Sequence, residues 1–348
     1  MSPISSTAFQ TTLQAATTQQ SHTYYTTITS ITIRWEKNDT KAHKVTPYFQ
    51  NILQTLNLPP AIEHIIRQSH SHSYQNPNIL FQKAIHDILA KSKPRTKNKN
   101  DHNLLIVHYA GHAFTKNGQL TFAETATATA TSEKTINADT YLLKNIGLVH
   151  LDTLLILDHC YMGNIPTRAA TIPNRVVEIL AATSTQTPRN RIPPENTFTA
   201  KLAEEISRRQ RSGHTYIEFS DVYQTLKSYE NRDKLRPTHA LLVGIGSVVL
   251  PLSGSGTVDP GNIAPMCTAL FSVSVTEGLT TEEVRKLRAW MRKLPCYAGL
   301  ELDRVYPGKA MCLVLRSALS VYTKLHRVQG YSLIAEGVGV PGEVDCLV

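Results

Sequence analysis

The chain reads as an α/β protein, a mostly parallel sheet flanked by helices on both faces, followed by a smaller α+β unit. Three observations carry that reading. The runs Leu104-Leu105-Ile106-Val107 and Leu154-Leu155-Ile156-Leu157 have the length of buried strands and are too short for most helices. Strand-like runs alternate with stretches of helical apolar spacing up to about residue 252, the order of a parallel sheet with crossover helices. Past a Gly/Pro/Ser-rich stretch at 254–265, the order becomes strand, helix, strand, strand, helix, strand.

Residues 1–22 are rich in Ser, Thr and Gln and offer little apolar surface, so a tail or linker is expected there. The first core strand starts at Ile28, where Ile31, Ile33 and Trp35 alternate with Thr32 and Arg34. Val45, Phe49, Ile52, Leu53 and Leu56 then recur at helical spacing until Pro59-Pro60. A short strand follows at 62–66. Asn76-Pro77 opens a helix whose apolar face includes Ile79, Leu80, Ala84, Ile85, Ile88 and Leu89. The strand 103–109 comes next, then a hairpin through 118–123 and an Ala/Thr tract that reads as a loop. Strands at 154–157 and 176–182, helices at 197–209 and from Ser220, and a hairpin of 240–243 with 248–252 complete a domain spanning 23–253.

After the linker at 254–265, residues 266–340 form the second unit. Thr280 and Glu283 make a capping box before Leu287, Trp290 and Met291, and Pro307-Gly308 is a turn between two strands. A helix at 317–325 and a strand at 331–335 give βαββαβ, the ferredoxin-like order, with a tail at 341–348. No catalytic constellation falls in this unit.

The length of 348 residues fits two domains. No apolar run approaches the ~20 residues of a membrane span, and the first residues have neither an early basic cluster nor an apolar core, so a cytoplasmic protein is expected. Five irregularly spaced cysteines argue for reduced thiols over a disulfide framework. The net charge of +9 is partly concentrated in the basic run 91–99, which lacks interleaved aromatic residues and reads as a solvated loop, not a nucleic-acid surface.

The chemistry sits at two strand ends. Past 154–157 the chain continues Asp158-His159-Cys160, and past 103–109 it continues Ala110-Gly111-His112. Neighbouring parallel strands bring their carboxyl ends together, at the edge where open α/β sheets bind ligands. That predicts Cys160 and His112 facing each other across a cleft. A free thiol has a pKa of about 8.5 and is little ionised at neutral pH; a histidine within hydrogen-bonding range activates it.

His112 precedes Cys160 by 48 residues, close to the spacing of roughly 50 in caspases. With HYAGH ending at His112, DHCYMG around Cys160 and the opening WEKNDT, residues 23–252 loosely resemble the caspase/metacaspase superfamily of cysteine peptidases (peptidase C14-like thiol proteases), and within it the fungal caspase-like domain proteins. The resemblance implies a caspase-like sheet and a hydrolase cutting peptide bonds through a Cys160–His112 dyad, with the backbone N–H groups of Ala113 and Cys160 as oxyanion hole. It puts Asp158, and less firmly Asp39 next to Asn38, in an acidic pocket, hence cleavage of proteins or peptides after Arg or Lys. Programmed cell death or self/non-self defence would be the setting. Family members are controlled by cleavage of a basic loop, by calcium, or by recruitment, here through the C-terminal unit. Arg168, Arg175, Arg189 and Arg191 are the processing candidates. Between residues 164 and 190 the only acid is Glu178, so a need for calcium stays open.

Other readings stand beside these. Asp158 could cap backbone amides at a strand end, and Asp39 could cap a helix. His108 and His112, with His70 and His72, could bind a metal, but they lack the Glu of H-E-x-x-H and start on a strand, so no metal site is predicted. Ala113 stands where the family usually has Gly, and Ala110 where metacaspases commonly have Ser. A catalytically degenerate interaction or regulatory module is therefore the alternative function.

Overall fold

A computed structural model of the chain describes residues 2–18, 25–38, 40–67, 76–91, 102–117, 119–125, 134–144, 151–160, 175–183, 193–228, 236–276 and 278–338. Its centre is a sheet of order β2-β1-β3-β6-β7-β9, formed by Ile62–Ile66, Thr27–Trp35, Asn103–Lys116, Asp152–Cys160, Val177–Thr183 and Arg236–Val243. All neighbours on this path run parallel except β9, which is antiparallel to β7. The far end of β3 turns into an antiparallel extension with β4 (Gln119–Ala123), which pairs with β5 (Thr135–Asn137).

Strand periodicity explains why both faces are covered. Along β3, Leu104 and Ile106 enter one core, while Leu105, Val107 and Tyr109 enter the other. The first core is closed by α2 (Thr46–Thr55), α4 (Phe198–Arg211) and α5 (Phe219–Ser228); the second is closed by α3 (Pro77–Lys91) and β4. Five of the central strands and these helices follow the order read from the sequence. The hairpin expected over 240–252 does not form: β9 pairs with β7, whereas β10 (Val249–Pro251) pairs with β8 (Tyr216–Glu218).

A second, antiparallel sheet has the order β12-β13-β11-β14, from Glu301–Tyr306, Met311–Ala318, Cys267–Val275 and Tyr331–Val338. The helix α6 (Thr281–Met291) opens with the expected capping box of Thr280 and Glu283. The helix α7 (Leu319–Leu325) starts two residues later than expected, because β13 continues to Ala318.

Within the stretch 1–22, read as a tail or linker, the described residues 2–18 pack into the fold. Ser6–Thr17 form a helix, α1, capped by Ser5, and bury Phe9, Leu13 and Ala16 in the same core as β11 and α7. Ile4 bridges Val275 alongside β11, donating its N–H to Ser274 O at 2.9 Å. Residues 254–265 are not a free linker either. Val258 exchanges backbone hydrogen bonds with Gly213 (2.8 Å) and Thr215 (3.0 Å), and Asp259 accepts from the Tyr216 hydroxyl at 3.0 Å. One continuous apolar core therefore runs from α2 and α4 into the second sheet.

A buried amine fastens these parts. Lys324 on α7 is 1% exposed; it pairs with Glu218 of β8, itself 3% exposed, and donates to Ala16 O at 3.1 Å. Glu218 also accepts from the Ser220 hydroxyl at 2.9 Å. Removing one member of a buried pair strands the other charge, at a cost of about 3–5 kcal/mol. Lys324→Met should therefore lower unfolding free energy by that order in urea titration. Lys324→Met combined with Glu218→Gln should recover most of it; equal losses in both variants would show that the pair does not join the parts.

Candidate active site

The parallel ladder between β3 and β6 sets the geometry. Leu104 to Ala110 pair in steady register with Asp152 to Asp158; the next pair is Ala113 with Cys160. Gly111 and His112 thus stand opposite the single residue His159, a bulge of two against one. Such a bulge breaks the strict alternation of a strand and can re-aim a side chain at a site. Neighbouring strands lie about 4.8 Å apart and rise about 3.3 Å per residue, so the backbones of His112 and Cys160 are about 6 Å apart.

The bulge needs its glycine. Gly111 has φ +153°, and a Cβ there would come within 2.8 Å of both the Asn38 amide nitrogen and the Tyr109 hydroxyl. The positive φ falls on Gly111 and not on Ala113, so the Ala113 position asks for no special backbone conformation. Ala113 is buried and pairs with Phe122 on its other side.

Tyr109 is a residue that sequence reasoning missed. Its ring stacks on Phe122 with centroids 3.7 Å apart, and its hydroxyl donates to His112 O at 2.7 Å. The half-buried His112 is thereby held through its own carbonyl. An aromatic residue three before the candidate histidine was the available signal. Asn38 also borders the bulge; its Oδ1 accepts from Thr40 N at 2.6 Å, while its Nδ2 is buried without a hydrogen bond among the described residues.

Asp158 is 1% exposed, and its Oδ2 accepts the backbone N–H of Thr199 at 2.9 Å in the first turn of α4. Asp158 thus caps a backbone amide from a strand end, as its alternative reading has it, in a helix whose own N-cap is Thr197 and whose positive end favours the carboxylate. The Thr199 hydroxyl meets His108 Nε2 at 3.1 Å, and His108 Nδ1 meets Thr32 Oγ1 at 2.8 Å. A neutral imidazole has one donor and one acceptor, which two hydroxyls can match. His108 is fully buried and stacked on Phe49, so it is a core residue and does not join His112 in a metal site.

Arg175 fails as a processing site. It is 8% exposed, donates to Leu151 O at 3.4 Å, and sits at the opposite end of β6 from Cys160. Burial lowers its pKa, opposed by nearby Asp152. A protease needs the side chain at its cleavage site exposed, and that of Arg175 is buried. Glu178 is equally committed: it is fully buried and accepts from Ser247 Oγ (2.6 Å) and Val248 N (2.7 Å), beside His239 Nε2 at 2.6 Å. It is not free to hold calcium. Among the described residues, no three His, Cys, Asp or Glu side chains are grouped to hold a metal ion. Asp39, Arg168, Arg189, Arg191, His70, His72 and the Cys160 side chain lie outside what is described.

Tyr109→Phe keeps the stack on Phe122 and deletes the bond to His112 O. We expect a loss of about 1 kcal/mol in urea unfolding and a displaced His112 ring resonance by NMR. An unmoved resonance would mean that the hydroxyl does not position His112.

No protein-family model and no curated protein matches this chain.

Proposed function

We propose that the chain is a cysteine endopeptidase of caspase/metacaspase type. The observation that supports it is the adjacency of the carboxyl end of β6 and the β3 bulge, which brings His112 beside the backbone of Cys160. In this reading His112 takes the Cys160 proton and the thiolate attacks the substrate carbonyl carbon. The resulting oxyanion accepts hydrogen bonds from backbone N–H groups, for which those of Ala113 and Cys160 are the candidates. His112 then protonates the leaving amine, and water releases the acyl group.

A preference for Arg or Lys is part of the proposal, with a condition attached. A basic side chain reaching Asp158 would share its carboxylate with the Thr199 amide. The βαββαβ unit, whose strand order β12-β13-β11-β14 agrees with a ferredoxin-like reading, is proposed as the part that recruits a partner. The burial of Asp158 as a helix cap favours a second reading, a caspase-like scaffold that no longer cleaves.

Fluorogenic Arg, Lys and Asp peptides separate these. We expect turnover of the Arg and Lys peptides, lost in Cys160→Ala and nearly as completely in His112→Ala, with no further loss in the double variant because the two act as one unit. Faster turnover of the Asp peptide would overturn the specificity, and equal rates in wild type and Cys160→Ala would overturn the peptidase. Absence of turnover of any peptide would leave the scaffold.

A further inference from the structure

A groove of about 500 Å³ runs between the end of α6 and the start of β12, within the size range of ligand sites. Arg288 and Arg292 line it, with Met291, Leu294, Cys296 and one acid, Glu301. Both arginines are exposed, and neither has an acidic partner among the described residues, although Arg285 and Lys286 on the same helix share Glu282. Two guanidinium groups without an acidic partner among the described residues, over an apolar floor, suit an anionic segment that also carries apolar side chains.

We infer that this groove binds the chain's own residues 339–348, Gly-Val-Pro-Gly-Glu-Val-Asp-Cys-Leu-Val. The segment has two acids, Glu343 and Asp345, no base, and Val340, Val344, Leu347 and Val348 as apolar groups. In an extended segment Glu343 and Asp345 project to the same side about 6.6 Å apart. Arg288 and Arg292 are one helical turn apart, about 6 Å. The charges therefore match in sign and in spacing.

The reach is sufficient. Val338 pairs with Cys267, Thr268 pairs with Ala318, and Glu301 pairs with Arg316, so the end of β14 and the start of β12 lie at one end of the same sheet. Three strand steps separate them, about 14 Å. Five residues from Val338 to Glu343 span up to about 17 Å, and seven to Asp345 about 23 Å. In this placement Cys346 comes near the exposed Cys296, which supplies the test.

Full-length protein treated with a short bismaleimide, then digested and read by mass spectrometry, should show a Cys296–Cys346 link within single chains. Arg288→Glu with Arg292→Glu should reduce its yield at least fivefold, and adding Glu343→Arg with Asp345→Arg should restore it. A yield indifferent to charge reversal, single-thiol adducts alone, or links found only in covalent dimers would each overturn the inference.

Discussion

The parallel register between β3 and β6 is the constraint on which the rest of the site depends. It places Ala110 beside Asp158 and Ala113 beside Cys160, and so leaves two residues of β3 to fit across from one of β6. The bulge that results is possible because Gly111 accepts its φ and its close neighbours. Beneath it, Thr199 joins three elements at once: its N–H caps onto Asp158, and its hydroxyl reaches His108, which in turn meets Thr32 on β1. The start of α4 is thus held against β1, β3 and β6 by a buried polar chain. Such chains give a site rigidity when every member is satisfied.

The central sheet was legible because buried parallel strands are short, continuous apolar runs, and 104–107 and 154–157 leave few other readings. Cys160 does end β6, but His112 does not end its strand: β3 runs on to Lys116, with His112 already paired to Ala123 of β4, an antiparallel extension of which the polar stretch past Tyr109 gave no sign. What was hidden depends on distant partners. The helix Ser6–Thr17 has only a few large apolar groups among Ser, Thr and Gln, and it is stabilised by β11 and α7, more than 250 residues away in sequence. Lys324 reads as a surface lysine until Glu218 and Ala16 are brought to it. Residues 254–265 have the composition of a linker, yet their backbone hydrogen-bonds to Gly213 and Thr215. Arg175, a processing candidate on sequence position, is buried at the far end of the sheet, and Glu178, the lone acid of 164–190, is bonded at the β9–β10 corner.

These contacts change how the second sheet relates to the first. A shared apolar core, an N-terminal helix lying on the C-terminal sheet, and a buried ion pair from α7 to β8 of the β8–β10 ribbon tie the second sheet to the rest of the fold. No helix among the described residues is long and apolar enough to cross a membrane.

Whether His112 activates Cys160 can be read from the rate of Cys160 alkylation by iodoacetamide across pH. A thiol paired with histidine reacts well below the ordinary thiol pKa of about 8.5. We expect substantial alkylation of Cys160 at pH 6 in the wild type, and in His112→Ala a profile displaced upward to that of an ordinary thiol. Identical profiles in the two proteins, both rising near pH 8.5, would contradict it.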